Sequence, residues 1–262
     1  NHCGLHRKQD VKAFIFTAGY GERLRPITDA VPKPLVPVLN RPAIDWALAA
    51  CRRAGIREVI CNLHHLGSAI EHYFAAHASF GFQVSFSREE KILGTGGGLK
   101  QCEDMLSDED FLVLNGDVLM DIDVNALIAY HREKKSRATV VLYPHKNSSA
   151  IVPVGVCGEK VVDFNNYFGT NLDSGFVYTG AAVISPEIFN YLESDFSSIV
   201  YTGYVEFIRQ NSLHYYVHQG YWYDIGTPQS LYEANMELRH KKEDVGDYLS
   251  PIRNGIEIVS LH

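Results

Sequence analysis

Short apolar runs alternate with longer amphipathic stretches along most of the chain. Ala13–Phe16, Glu58–Asn62 and Phe111–Leu114 read as buried strands, and Gln83–Ser87 alternates as a half-buried one. Between them, Ile44, Leu48 and Cys51 recur at helical spacing, as do Ile70, Tyr73, Phe74 and His77. Asn40-Arg41-Pro42 is read as the opening of the first of these helices, Gly55 as its close, and Ser68 as the start of the second. Further on, Ala138–Tyr143 predicts a strand, Val152–Val156 and Val161–Phe164 a hairpin around Gly158-Glu159, and Phe176–Ser185 a long strand broken at Gly180. Asp121 and Asp123 are read as caps of a helix carrying Val124, Leu127, Ile128 and His131. Ser185-Pro186 and Thr227-Pro228 open two more helices, the second carrying Leu231, Ala234 and Leu238. Strands that alternate with helices imply parallel pairing with helices on both faces, the arrangement in which ligands sit at the carboxyl ends of the strands.

Composition narrows the class. A chain of 262 residues with 46% hydrophobic content can bury one large α/β domain, and no composition shift marks a second. The 24 basic and 31 acidic residues leave a net charge of −7, which disfavours nucleic-acid partners and makes any cluster of cations a local site. No uncharged apolar run reaches the roughly 18–20 residues of a membrane span, and Asn1–Asp10 is polar, so we expect no membrane partner and a cytoplasmic setting. The five cysteines, Cys3, Cys51, Cys61, Cys102 and Cys157, are scattered and fit reduced thiols. His64-His65, His72 and His77 have no metal-ligand spacing and are read as surface or loop residues.

The chemistry concentrates in Val11–Pro37. An apolar strand runs into Thr17-Ala18-Gly19-Tyr20-Gly21, and Arg23, Arg25 and Lys33 follow among Pro26, Pro32 and Pro34. Glycines allow backbone N–H groups close to an anion and the cations add charge, so phosphate is the expected guest. A Walker loop needs Gly-Lys-Ser/Thr, whereas Gly21 precedes Glu22-Arg23. A dinucleotide fingerprint needs glycine where Leu24 stands, then a helix that Pro32 and Pro34 would interrupt. A basic turn remains.

Gly19-Tyr20-Gly21-Glu22-Arg23-Leu24-Arg25-Pro26-Ile27-Thr28 followed by Pro32-Lys33-Pro34-Leu35 closely resembles the signature of the sugar-1-phosphate nucleotidyltransferases, which make NDP-sugars. The likeness extends over roughly Val11–Leu238. It implies an α/β fold of Rossmann-like type, a three-layer sandwich with a mixed, mostly parallel central sheet, in a catalytic domain over 11–240. A flexible segment 1–10 and a C-terminal tail 241–262 would flank that domain.

The resemblance also implies roles. Ala18, Gly19, Gly21, Glu22, Arg23 and Lys33 would bind the nucleotide, with Arg23 and Lys33 catalytic. Leu93–Leu99 carries four glycines and resembles the family's loop over the nucleobase, which makes Gly94, Thr95 and Gly96 nucleotide contacts. After the strand that ends near Leu114, Asp117 resembles a magnesium aspartate and Asn115 a sugar-phosphate contact; by alternation their side chains point the same way. Thr179 and Gly180 are sugar-side candidates, although the Glu-Lys-Pro and Asn-x-Gly of many relatives are absent here. Trp222-Tyr223-Asp224-Ile225-Gly226-Thr227-Pro228 resembles the second metal motif, with Asp224 as ligand.

The expected reaction joins NTP and a sugar 1-phosphate with Mg²⁺, in a monomer or homodimer. Within the family the chain looks most like N-acetylmuramate-1-phosphate uridylyltransferases, ahead of GTP-dependent mannose- or heptose-1-phosphate guanylyltransferases. A regulatory relative that senses NDP-sugars without catalysis is the alternative from another class.

Overall fold

Alternate residues of the central strands enter two separate cores, and that alternation puts helices on both faces of one sheet. The computed structural model describes residues 11–145 and 153–252. Segment 1–10 with Cys3, the first hairpin residue Val152, and the apolar piece 256–261 lie outside the described residues.

The strands are β1 (Ala13–Phe16), β2 (Pro37–Val38), β3 (Arg41–Pro42), β4 (Glu58–Leu63), β5 (Gln83–Arg88), β6 (Phe111–Asn115), β7 (Val118–Met120), β8 (Ala138–Pro144), β9 (Pro153–Cys157), β10 (Lys160–Phe164), β11 (Phe176–Ile184), β12 (Leu213–Val217) and β13 (Trp222–Asp224). Nine of them form a sheet in the order β5-β4-β1-β6-β11-β8-β12-β10-β9. β5, β4, β1 and β6 pair in parallel, as do β8 and β12. β11 and β10 run against their neighbours, which makes the sheet mixed. The α-helices are α1 (Ile27–Ala30), α2 (Ile44–Arg53), α3 (Gly67–Ala76), α4 (Gly94–Lys100), α5 (Glu103–Leu106), α6 (Val124–Glu133), α7 (Val205–Arg209), α8 (Pro228–Arg239) and α9 (Lys242–Leu249).

Phe14, Ile60 and Val113 join Leu99 of α4, Leu106 of α5 and Phe207 of α7 in one core. Their chain neighbours Ile15, Cys61 and Leu114 join Trp46 of α2, Phe74 of α3, Leu127 of α6 and Leu238 of α8 in the other. Each fully buried Leu, Ile or Phe contributes roughly 1.5–3 kcal/mol of transfer free energy, so the sheet holds both helical layers in place. The result is the three-layer α/β sandwich with a mixed sheet that the resemblance implies, and not the wholly parallel pairing that the alternation of strands and helices suggests. Among the described residues no helix is long and apolar enough to cross a membrane.

Several local expectations change. Arg41-Pro42 does not open a helix: it pairs with Pro37-Val38 as a two-stranded ribbon, and the helix starts at Ile44. Asp123 caps α6 by accepting from the Ala126 N–H at 3.1 Å, but Asp121 does not cap; it accepts from the Tyr221 N–H at 2.8 Å. Pro186–Asn190 is a short 3₁₀ turn capped by Ser185. The break in β11 is a register shift between Tyr178 and Ala182, where Gly180 has φ +87°. Thr227 caps α8 in a capping box with Ser230. Beyond α8, Val245, Tyr248, Leu249 and Ile252 pack into the core that holds Trp46 and Leu238, so this part of the expected tail is docked.

Candidate functional site

The basic stretch folds as a chain of tight turns because its prolines and glycines forbid a longer element. Gly21 has φ +65°, and a Cβ there would lie 2.7 Å from Thr28 Cγ2. Thr28 Oγ1 donates to the Gly21 carbonyl at 2.8 Å, which closes the turn. Short 3₁₀ turns at Glu22–Leu24 and Lys33–Leu35 flank α1, with Leu24 and Pro34 buried beneath them. Arg23 is left 70% exposed, while the Lys33 side chain is only 12% exposed.

The carboxylates arrive from two elements that hydrogen-bond to each other. β6 ends at Asn115, the Gly116 N–H donates to the Phe16 carbonyl at 3.0 Å, and Asp117 follows in the turn before β7. β7 pairs antiparallel with β13, Asp224 opposite Val118, so Asp224 stands across from the residue next to Asp117. Lys33 Nζ lies 2.5 Å from Asp117 Oδ2 and 3.3 Å from Asp224 Oδ1, and Arg23 Nη2 lies 3.8 Å from Asp224 Oδ2. Burial alone would pull the Lys33 pKa down, but the two carboxylates outweigh it and hold the ammonium above its ordinary value. Lys33 is therefore a fixed positive charge at neutral pH and does not serve as a base.

Arg23, Lys33 and Asp117 line a cleft of about 460 Å³ together with Phe16, Thr17, the rest of the Gly19–Arg23 turn, Pro34 and Gly226, and Asp224 stands behind them, paired with Lys33 and Arg23. Among the described residues, nothing beyond Gly19's own chain neighbours lies within 4 Å of the position a Cβ would take, so that face of the turn is open. The donor set also fits a divalent cation. Two carboxylates flank the one cation of Lys33, and a hard cation such as Mg²⁺ is held by one or two carboxylates, with water and phosphate oxygens completing its shell. Among the described residues no group of three or more His, Cys, Asp or Glu could form a protein-only cage.

The remaining candidates sit elsewhere. Ala18 is buried behind the turn, and Glu22 lines the cleft. Gly94, Thr95 and Gly96 do not form a loop: they are the first turn of α4 and do not line the cleft. A Cβ at Gly94 would meet the Ser197 carbonyl at 2.4 Å, and one at Gly96 would meet Ser197 Oγ at 2.4 Å, so close packing of the 195–199 segment accounts for these glycines. Thr95 Oγ1 accepts from the Ile199 N–H at 3.0 Å in the same contact. Asn115 and Asp117 do not share a direction, because the chain leaves the strand between them. Asn115 faces Gly180, where a Cβ would come within 2.2 Å of its Nδ2, while Asp117 turns to Lys33. Thr179 is buried and its hydroxyl donates to the Val141 carbonyl at 3.0 Å, so it is committed to the backbone.

Sequence reasoning missed the support behind the glycine turn. Asn62, the end of the predicted Glu58–Asn62 strand, accepts from the Thr17 N–H at 2.8 Å and donates to Glu89 Oε1 at 2.8 Å. Glu89, itself buried, accepts from the Leu93 N–H at 2.8 Å. This polar thread ties the turn after β1 to the start of α4. The only signal in the sequence is a polar residue closing an apolar strand, which also describes any strand end. His64 lies 2.8 Å from the Tyr20 hydroxyl and 2.9 Å from the Glu89 carbonyl, which makes it part of the same support.

Comparison with known proteins agrees with this architecture. The family described as Nucleotidyl transferase matches residues 12–241, and the chain belongs to that family. It is 34% identical over 206 residues to a UTP–glucose-1-phosphate uridylyltransferase of Synechocystis sp., covering 70% of this chain and 51% of that protein. It is 32% identical over 232 residues to an N-acetylmuramate alpha-1-phosphate uridylyltransferase of Neisseria meningitidis, covering 86% of this chain and 96% of that one. The chain thus spans about half the length of the first relative and nearly all of the second. Among solved structures, the UTP-bound UGPase of Acinetobacter baumannii superposes with a TM-score of 0.76 at 19% identity, over 93% of this chain and 99% of that one, a likeness of fold.

Proposed function

We propose that this chain transfers a nucleoside monophosphate from an NTP to a sugar 1-phosphate and releases pyrophosphate, with UTP as donor and an N-acetylmuramate-type or other hexose 1-phosphate as acceptor. The observation that carries the reading is the cluster of Lys33, Asp117 and Arg23 in the cleft beside the Gly19–Gly21 turn, with Asp224 paired to Lys33 and Arg23. The uridylyltransferase names of both relatives support UTP as the donor.

In this reaction a phosphate oxygen of the sugar attacks the α-phosphorus of the NTP, and the bond from that phosphorus to the bridging oxygen of pyrophosphate breaks. Both reactants are anions, so positioning and charge neutralisation supply most of the catalysis. The open face at Gly19 lets backbone N–H groups of the Gly19–Gly21 turn approach the nucleotide phosphates, and Arg23 at the mouth of the cleft stabilises the departing pyrophosphate. Lys33, charged and largely buried, offsets the negative charge around the α-phosphorus. Asp117 and Asp224 would hold Mg²⁺, which supplies neutralisation of phosphate charge. Asn115 at Gly180 is the sugar-side contact. The thiols Cys51, Cys61 and Cys102, all buried and unpaired, fit a cytoplasmic protein, acting as a monomer or homodimer.

Pyrophosphate release measured for four NTPs against a panel of sugar 1-phosphates, with Mg²⁺, tests the reading. Turnover with UTP and N-acetylmuramate or hexose 1-phosphate is expected. Turnover only with GTP and mannose or heptose 1-phosphate would replace the donor, and NDP-sugar binding without turnover would replace the enzyme with a sensor.

A further inference from the structure

Asp224 sits on a strand of three residues, Trp222–Asp224, whose only sheet partner among the described residues is Val118–Met120. A two-stranded ribbon of this length is marginal alone, and a slip of one residue would turn Asp224 to the other face. Something else must fix its register. The structure supplies it one rung beyond the ladder, at Asp121 and Tyr221. Asp121 Oδ1 accepts from the Tyr221 N–H at 2.8 Å. His218 Nε2 lies 3.1 Å from that same oxygen and 3.0 Å from the Tyr221 carbonyl. Both partners are acceptors, so this nitrogen carries the hydrogen and bridges them. The Tyr221 hydroxyl in turn accepts from the buried Trp46 Nε1 at 2.9 Å. Tyr221 is thus held at its N–H, its carbonyl and its hydroxyl, three residues before Asp224. Gly220 completes the fit, since a Cβ there would come within 2.0 Å of Asp121 Oδ1.

We infer that Asp121 is a positioning residue that sets the β7–β13 register and thereby delivers Asp224 to the point shared with Asp117 and Lys33. The inference rests on the reading of Asp117 and Asp224 as a divalent-cation pair, and it assigns Asp121 no contact with substrate or metal. The carboxylate acts through one hydrogen-bonded rung.

Mn²⁺ binding to the nucleotide-free protein, followed by electron paramagnetic resonance, separates positioning from stability, with kcat, KM for NTP and thermal melts measured beside it. Asp121→Ala should weaken Mn²⁺ binding by about tenfold or more and lower kcat more than it raises KM. Asp121→Asn should restore most of the Mn²⁺ affinity, because its amide oxygen still accepts from the Tyr221 N–H. Gly220→Ala should reproduce the loss by displacing the carboxylate, which keeps the test alive if Asp121→Ala fails to fold. Asp123→Ala, which removes the α6 cap and touches no part of the ribbon, should lower the melting temperature and leave Mn²⁺ affinity and kcat unchanged. Wild-type Mn²⁺ affinity in folded Asp121→Ala or Gly220→Ala would overturn the positioning role alone. Equal losses in Asp123→Ala would overturn it as a stability effect, and absence of Mn²⁺ binding by the wild type would overturn both this inference and the metal reading beneath it.

Discussion

Replacing Lys33 with methionine removes the ammonium that Asp117 and Asp224 share. Unit charges about 4 Å apart at an effective dielectric constant near 20 interact by roughly 4 kcal/mol. Asp117 is 25% exposed and approached at 2.5 Å, whereas Asp224 is 40% exposed and approached at 3.3 Å. Solvent screens the second pair toward the about 0–1 kcal/mol of surface pairs, and the desolvation of Lys33 offsets part of the first. A net loss of about 2–3 kcal/mol follows, and for a chain of this size it lowers the melting temperature by roughly 5–10 °C. The Lys33 pKa is raised above its ordinary 10.5, so the stabilisation is complete below that value and disappears only as pH rises through the still higher folded value. The difference between variant and wild type should therefore be the same at pH 7 and pH 9. Two bare carboxylates also attract a divalent cation that no longer has to displace the ammonium. Titration calorimetry without nucleotide should show Mg²⁺ binding about tenfold tighter in Lys33→Met, and saturating Mg²⁺ should recover most of the lost melting temperature. An unchanged melt, or Mg²⁺ binding no tighter than wild type, would refute the view that Lys33 neutralises this pair.

Asp117→Asn and Asp224→Asn should each fold and each lose turnover by orders of magnitude at saturating Mg²⁺; near-wild-type kcat in either removes that residue from the cation site. Arg23→Ala should cut kcat more than it raises KM for NTP, because charge shifts toward pyrophosphate as the bond to phosphorus breaks; a pure KM effect would make it a docking contact. Gly19→Val places its first side-chain carbon where, among the described residues, nothing beyond the adjoining residues lies within 4 Å, so its apo melt should match wild type while the NTP–Mg²⁺ melting shift is lost. Gly21→Val and Gly96→Val, by contrast, should lower the apo melting temperature, since their Cβ atoms meet Thr28 Cγ2 at 2.7 Å and Ser197 Oγ at 2.4 Å; stable Gly96→Val protein with a lost ligand shift would instead return α4 to the nucleotide site.

Where sequence signals were local and periodic they carried through to the structure. Phe14 and Ile15 already tell by their alternation that β1 is covered on both faces, and Thr227-Pro228 marks the start of α8 to the residue. The basic turn was legible because Gly21, Arg23 and Lys33 lie within one short stretch. What the sequence left out depends on distant pairing. Arg41-Pro42 mimics a helix start, and only the return of Pro37-Val38 makes it a strand. The glycines of α4 look like a loop until the 195–199 segment, a hundred residues away, is packed against them. Asp121 carries the local signature of a helix cap, and its true partner Tyr221 lies across a ribbon whose register no local pattern encodes. Asn62 and Glu89 are silent for the same reason: a buried polar pair acquires meaning only from what it meets.

Label transfer tests the central claim most directly. UTP labelled at the α-phosphate and, separately, at the γ-phosphate should be incubated with the wild-type protein, Mg²⁺ and the sugar 1-phosphate that gives turnover. The account predicts that the α-label appears in the NDP-sugar, that the γ-label appears in pyrophosphate, and that Asp117→Asn and Lys33→Met transfer neither at a comparable rate. A γ-label found on the sugar, or α-label transfer undiminished in both variants, would contradict it.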